Sequence, residues 1–204
     1  MSHYFIENRK VLTNERLLNA EIFGMKFKFL SNNGLFSCDK VDDVSGVLIE
    51  NLPVLKGSLL DLGCGYGFIG IVLAKKYKLD LTMSDINSIA VNYAETNAKL
   101  NAIEAKTICS NGFENIHGSF DTITLNPPIH AGKDIIYKLY KEAALHLSKG
   151  GNFYVVIQKK HGAESSYKKL CEIFDSCDVV YKKKGCFIFR ATLQHGILKT
   201  NTSS

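Results

Sequence analysis

Tryptophan is absent from this chain, and proline occurs only three times in 204 residues. No segment approaches the roughly 20 consecutive apolar residues that cross a bilayer, so no membrane span is expected. The opening MSHYFIENRK places no apolar stretch behind a basic patch, which argues against a secretory signal. The six cysteines, at 38, 64, 109, 171, 177 and 186, form no C-x-x-C pair. Such scatter offers neither a zinc site nor a disulfide framework, and it predicts reduced, mostly buried thiols in a cytoplasm, with no metal bound. Internal repeats and low-complexity tracts are missing as well.

Acid is scarce in one part of the chain. Residues 1–129 carry 12 Lys+Arg and 14 Asp+Glu, a balance of −2, whereas residues 130–204 carry 13 and 6, a balance of +7. The asymmetry points to an anionic partner on the C-terminal part, a solvated lysine surface being the plainer alternative. With 46% apolar residues, the chain has enough for one sizeable core. One domain of ordinary size is expected over 1–204, with 58–195 as its core, 1–57 as an N-terminal cap and 196–204 as a tail.

From residue 58 onward, strand-like and helix-like segments alternate. SLLDLG, LDLTMSDI, AKTICSN, FDTITLN and NFYVVIQ read as strands. FIGIVLAKKY and AESSYKKLCEIF read as helices, as does SIAVNYAETNAKLN, with Ile89, Tyr93 and Leu100 near a 3.6-residue period. GKDIIYKLYKEAALHLSKGG puts Ile135, Ile136, Leu139, Tyr140, Ala143, Ala144 and Leu147 on one helical face, ending at two glycines. DVVYKKK and CFIFRATL flank a Lys-Gly turn and read as a final hairpin. This alternation implies a mainly parallel sheet covered on both faces, with an antiparallel addition at its C-terminal end. Before residue 58, AEIFGMKFKFLSNNGLFS suggests a hairpin through its Asn-Gly signal, and VDDVSGVLIENL a helix.

The stretch DLGCGYGFIG, 61 to 70, is a glycine-rich turn between the first core strand and its helix, where backbone can approach a ligand closely. Two cofactors fit it. Gly65, Gly67 and Gly70 satisfy G-x-G-x-x-G, and Asp85 follows 20 residues after Gly65, so a nicotinamide dinucleotide is one reading. The same loop also reads Asp61-x-Gly63-x-Gly65-x-Gly67. A carboxylate at Asp61 would oppose a pyrophosphate and suits a cationic amino group, as on S-adenosylmethionine. Asp61 capping the turn's own N–H groups is the structural alternative. Asp85 would hold ribose hydroxyls in either case.

ITLNPPIHAGK, 123 to 133, holds two of the three prolines directly after a buried-looking strand. Proline offers no N–H, so the amide oxygen of Asn126 and the carbonyl of Pro127 form a stiff pair that can only accept. Such a pair suits an exocyclic NH₂ at the carboxyl end of a parallel strand. An oxidoreductase has no evident use for it.

These motifs (Asp61 to Gly67, Ser84-Asp85-Ile86-Asn87 and Asn126-Pro127-Pro128-Ile129-His130) resemble class I S-adenosylmethionine-dependent methyltransferases acting on amino groups. More narrowly, GLFSCDKVDDVSGVLIENL, SNGF, NPPIHAGK and IQKKHGAESSYKKL resemble the RsmC-like family, which methylates a guanine amine in small-subunit ribosomal RNA. The chain is similar to its short form, without the extra N-terminal domain of longer members. The resemblance implies a Rossmann-like α/β fold with a seven-stranded, mostly parallel sheet, a C-terminal antiparallel hairpin and helices on both faces. It implies that Gly63, Cys64, Gly65 and Gly67 wrap the methionine moiety, with Asp61 near its amino group. Asp85 and Ile86 would hold the nucleoside, Ser110 and Asn111 the adenine, and Phe36 and Ser37 would cover the pocket. Asn126, Pro127 and Pro128 would bind the target amine beside the cofactor, and His130 could accept a proton. Ile129 stands where related motifs are usually aromatic and provides apolar contact without a π face, so base stacking is expected to pass to His130 or to weaken. Val44 stands where similar sequences often have glycine. RNA, from the ribosome or its small subunit, is the implied partner, with Lys133, Lys159 and Lys160 as phosphate contacts. Methylation of adenine or of a protein glutamine is the alternative within the same chemistry.

Overall fold

The computed structural model describes residues 15–32 and 42–193. Seven strands form one sheet: Ser58–Leu62 (β3), Asp80–Asp85 (β4), Ala105–Cys109 (β5), Phe120–Leu125 (β6), Leu147–Gln158 (β7), Ser176–Lys183 (β8) and Cys186–Thr192 (β9). Their order is β5-β4-β3-β6-β7-β9-β8, and β9 alone runs against the direction of the other six. The reversal of strand order falls between β3 and β6, which pair in parallel, with Leu62 opposite Leu125. All seven core strands read from the sequence are present.

Successive side chains of a strand point to opposite faces, which is why the core strands carry apolar residues at nearly every position. Leu59, Tyr154 and Val156 enter one core, with Phe68–Tyr77 (α2), Ser88–Leu100 (α3) and Asp43–Asn51 (α1) packed over it. Leu60, Leu62, Phe153, Val155 and Ile157 enter the other, beneath Lys133–Leu145 (α4) and Ala163–Ile173 (α5).

Two helices differ from their sequence reading. α4 stops at Leu145 instead of running to the glycines at 150 and 151, and Leu147 already pairs with Phe120 as the first residue of β7. Leu147 is buried and falls in register with the helical face, so periodicity alone could not find the break. In α3, Ile89 and Leu100 are 43% and 49% exposed, and only Tyr93 of the three expected core residues is buried. The buried face is instead Ala90, Val91, Tyr93, Ala94, Asn97 and Ala98.

The reason is a second, two-stranded unit, Arg16–Ile22 (β1) paired with Met25–Ser31 (β2). Its turn is Phe23-Gly24, both left-handed at φ 55° and 71°, a geometry that matches hairpin twist. Asn33-Gly34, which suggested the hairpin, lies outside the described residues. The free edge of β2 meets two asparagine amides, Asn97 of α3 and Asn101 at its C-terminal cap. Asn97 accepts from Leu30 N at 2.7 Å and donates to Leu30 O at 2.9 Å, while Asn101 does the same with Lys28 at 3.1 and 2.8 Å. One turn apart on the helix, the two amides satisfy the edge as another strand would.

Candidate active site

Five parallel strands end along one edge of the sheet and bring together most of the expected residues. Gly63 follows β3, Asp85 ends β4, Ser110 follows β5, Asn126 follows β6 and Lys159 follows β7. Register locks these ends: Leu62 pairs with both Ser84 and Leu125, and Asp85 with Cys109. Two open hollows, of about 810 and 520 Å³, lie at the opposite, amino ends of the strands around Asp80 and Gly57, and none of the expected residues lines them.

The glycine loop is shaped by carboxylates. Gly63, Gly65 and Gly67 all have positive φ, at 67°, 55° and 90°. Gly67 is the N-cap of α2 and has no side chain to cap it. Asp61 replaces that cap: its Oδ2 accepts from Gly70 N at 2.9 Å, and Thr124 donates to its Oδ1 at 3.1 Å. A Cβ on Gly70 would lie 3.1 Å from the same carboxyl oxygen, so the third glycine makes room for Asp61. Asp61 is 1% exposed, and burial pushes its carboxyl up to about 7, against the lowering effect of the two hydrogen bonds. Both carboxyl oxygens are thus engaged by the protein itself. The capping role expected as the structural alternative is the one seen at Gly70 N.

Asp85 is half-buried at the cleft. One oxygen accepts from Gly65 N and the other from Asn87 N, both at 2.9 Å. A carboxylate has about four lone-pair sites, so two remain for hydroxyl donors. Ile86 beside it is 68% exposed, an apolar surface at the cleft rim. Cys64 is buried within the loop, its Sγ 3.5 Å from Gly65 O, with burial raising the thiol pKa. Ser110 is also turned inward: its Oγ donates to Gly112 O and accepts from Asn115 N, both at 3.0 Å. This hydroxyl folds the 110–115 turn and is already engaged there. Asn111 is exposed and donates to Glu114 at 2.8 Å.

Asn126 is held from the far side. Its Nδ2 donates to Asp42 Oδ2 and to Ser45 Oγ, each at 3.1 Å. Asp42 is the N-cap of α1 and accepts from Ser45 N at 2.6 Å. With both amide hydrogens engaged, the Asn126 oxygen is left as an acceptor. Pro127 is buried and Pro128 exposed. Ile129–Ala131 form one 3-10 turn, in which Ile129 packs partly against the α4–α5 core and His130 is exposed. Lys133, Lys159 and Lys160 are exposed near this edge. Phe36 and Ser37 lie outside the described residues. The sequence reading missed Asp42, Ser45 and Asn97. The last also donates to Tyr66 O at 2.8 Å and so ties the glycine loop to the hairpin. A signal for the first two was present in the capping spacing of Asp42 and Ser45 at the start of a helix.

Comparisons with known proteins agree with this geometry. The model of the methyltransferase small domain matches residues 26–190. The uncharacterized protein YbxB of Bacillus subtilis (strain 168) is 40% identical over 195 residues, covering 93% of this chain and 97% of its own. Ribosomal RNA small subunit methyltransferase C of Pasteurella multocida (strain Pm70) is 38% identical over 130 residues, which are 60% of this chain but 39% of that protein. The solved T. thermophilus 16S rRNA N2 G1207 methyltransferase (RsmC), in complex with AdoMet and guanosine, superposes with a TM-score of 0.78 at 26% identity. That match covers 89% of this chain and 51% of the other, so this chain spans about half of it or less, as with the Pasteurella relative. With the strand order, the glycine loop and the Asn-Pro-Pro turn in place, the matched residues 26–190 settle the family: the chain belongs to the methyltransferase small domain proteins.

Proposed function

We propose that this protein transfers a methyl group from S-adenosylmethionine to the exocyclic amine of a guanine in small-subunit ribosomal RNA. The observation that carries the reading is the pinned Asn126 amide, whose nitrogen is engaged by Asp42 and Ser45 and whose oxygen is thereby aimed as an acceptor. The names of the Pasteurella relative and of the Thermus structure support guanine in ribosomal RNA as the substrate.

The residues fit the cofactor. Of the three positive-φ glycines, Gly63 is exposed and Gly65 partly so, and a Cβ on Gly65 would meet nothing within 4 Å, whereas Gly67 packs against Ile71, Met83 and Ala94. Asp85 retains acceptor capacity for a pair of ribose hydroxyls, and exposed Ile86 suits a flat base. When bound, S-adenosylmethionine provides an already activated methyl group, so the protein's task is positioning. Asn126 Oδ1 and the Pro127 carbonyl accept the two hydrogens of the amine. That holds the nitrogen lone pair off the ring plane and towards the cofactor side of the cleft. Pro127 and Pro128 bring no N–H that could compete for the acceptors. Asp42 and Ser45 keep the Asn126 amide from turning over, which would present a donor to a donor.

Incubation with labelled S-adenosylmethionine and small-subunit ribosomal RNA, followed by nucleoside mass analysis, tests the reading. The expected product is N2-methylguanosine. Label appearing only in methyladenosine, or only in protein glutamine, would replace the substrate. Binding of NAD without binding of S-adenosylmethionine would replace the reaction.

A further inference from the structure

We propose that the tip of the β8–β9 hairpin, Lys182-Lys183-Lys184, is part of an RNA phosphate-binding surface continuous with the cleft. The inference rests on the RNA reading above and names where the backbone of that RNA lies.

Topology brings the lysines together. Cys186 at the start of β9 pairs with Gln158 at the end of β7 and with Lys183 at the end of β8. The hairpin tip therefore projects from the same edge of the sheet as Asn126. Lys159 N donates to Gly185 O at 2.7 Å, which fixes the tip against the Lys159–His161 turn. Lys133 borders that turn from the other side, since a Cβ on Gly162 would lie 3.9 Å from its Cε. Six lysines from three separate segments (133, 159, 160, 182, 183 and 184) thus share one end of the molecule, and all are exposed. With strands about 4.8 Å apart and β7 and β9 between β6 and β8, the tip lies roughly 10–15 Å sideways from Asn126, within reach of a nucleotide strand whose base enters the cleft.

Ion pairing does not tie these charges up. Lys99, Lys138, Lys168 and Lys169 are each neutralised by a glutamate on their own helix. Among the described residues none of the six forms an ion pair, and neither do Lys56, Lys106 and Lys149 at the amino ends, so what distinguishes the six is their clustering beside the cleft. Lys182 Nζ lies 5.4 Å from the Phe187 ring, a contact that leaves its positive charge unneutralised. β8 is an edge strand, and lysines on such an edge discourage strand addition. That role covers Lys182 and Lys183 but not Lys184 in the turn, nor the three lysines on other elements.

The test compares two triple variants that remove equal charge. One is Lys182→Gln, Lys183→Gln, Lys184→Gln; the other is Lys56→Gln, Lys106→Gln, Lys149→Gln at the amino ends of the strands. Binding of a labelled RNA stem–loop is followed against salt, with thermal melts and S-adenosylmethionine calorimetry confirming the fold of each. The hairpin triple is expected to weaken RNA binding and to lower the log–log salt slope by about 2, at roughly 0.7–0.9 for each phosphate that is no longer neutralised. The amino-end triple is expected to leave both unchanged. Lys159→Gln with Lys160→Gln gives a second route to the same weakening should the hairpin variant misfold. Equal effects from both triples, or no effect from the hairpin triple, overturn the proposal, as does a hairpin variant that loses binding to a ribosomal protein while keeping RNA. Binding is read without methyl transfer. A wild type that grips RNA through the hairpin yet methylates no guanine would sink the proposed reaction and leave this surface standing.

Discussion

The two flanks of the β3–β6 junction use polar side chains in opposite ways. On the β5–β4–β3 flank, Asp61, Asp85 and Ser110 all bond to the protein's own backbone, at Gly70, at Gly65 and Asn87, and at Gly112 and Asn115. Side chains there shape loops, and the loop backbone faces the cleft. On the β6–β7–β9–β8 flank the backbone is fixed by prolines and strand register, and the polar side chains point outward: the Asn126 oxygen, beside the Pro127 carbonyl, and six exposed lysines. A loop shaped from within suits one constant cofactor. Side chains held outward suit recognition of a varied polymer.

This contrast predicts that lesions on the second flank damage turnover with little effect on cofactor affinity, whereas those on the first damage affinity or stability. The largest effect is expected at Asn126. Asn126→Ala removes one of two aimed acceptors, and kcat for RNA should fall by roughly 10²–10³, the usual cost of removing one preorganised polar group. Calorimetric affinity for S-adenosylmethionine should stay within about twofold, since cofactor-side shaping does not depend on Asn126. A folded Ala variant with wild-type turnover would break the comparison outright.

Asp61 sharpens it from the other flank through pH. Its carboxyl ionises near 3.8 in the unfolded chain and near 7 when buried, burial being the main cause. Between those values the folded state binds more protons. This group's contribution to stability is therefore full below about 3.8 and declines as pH rises towards 7. The slope is at most roughly 1.4 kcal/mol per pH unit. Asp61→Asn retains an acceptor for Gly70 N and should flatten that decline. Urea midpoints of both proteins between pH 4 and 8 measure it.

Asp85→Ala should weaken S-adenosylmethionine binding by about 1–3 kcal/mol, the range for hydrogen bonds to a charged group. The turnover of cofactor-saturated enzyme should change less than in Asn126→Ala. The smallest effect is expected at Asp42, a positioning residue for Asn126. Asp42→Ala should cost about 0.5–2 kcal/mol of stability through removal of the helix cap. It should also lower kcat by roughly tenfold, because Asn126 is no longer held in register. Asp42→Asn, which still caps and still offers an oxygen, should restore most of both. Reduced stability with unchanged kcat would confine Asp42 to capping.

The strands were legible because the central ones, β3, β6 and β7, carry buried apolar runs on both faces, and because glycines, an Asn-Pro-Pro turn or polar residues mark where they stop. The cleft's location followed, since ligand sites in such sheets lie at the carboxyl ends beside the reversal of strand order. What side chains do at that edge was less legible. Asp61 and Asp85 look alike in sequence, each an acid at a strand end, yet one is buried and one lines the cleft. The distinction rests on Gly70, nine residues away, and on Thr124, 63 residues away on the adjacent strand. Asn97 and Asn101 spoiled the apolar periodicity of α3 because their partners are backbone groups of a hairpin 67 and 73 residues earlier.

By itself the sequence determined the alternation of strands and helices, the positive-φ glycine loop and the acceptor-only Asn-Pro-Pro turn, because each depends on neighbouring residues and on backbone sterics. Only the tertiary structure decided which way the Asn126 amide faces, since that depends on Asp42 and Ser45, 84 and 81 residues away. It alone decided that Asp61 serves the fold and that six lysines from three segments share the edge of the cleft. Charge and hydrogen-bonding capacity belong to the residue, but their direction is set by what the fold packs against it.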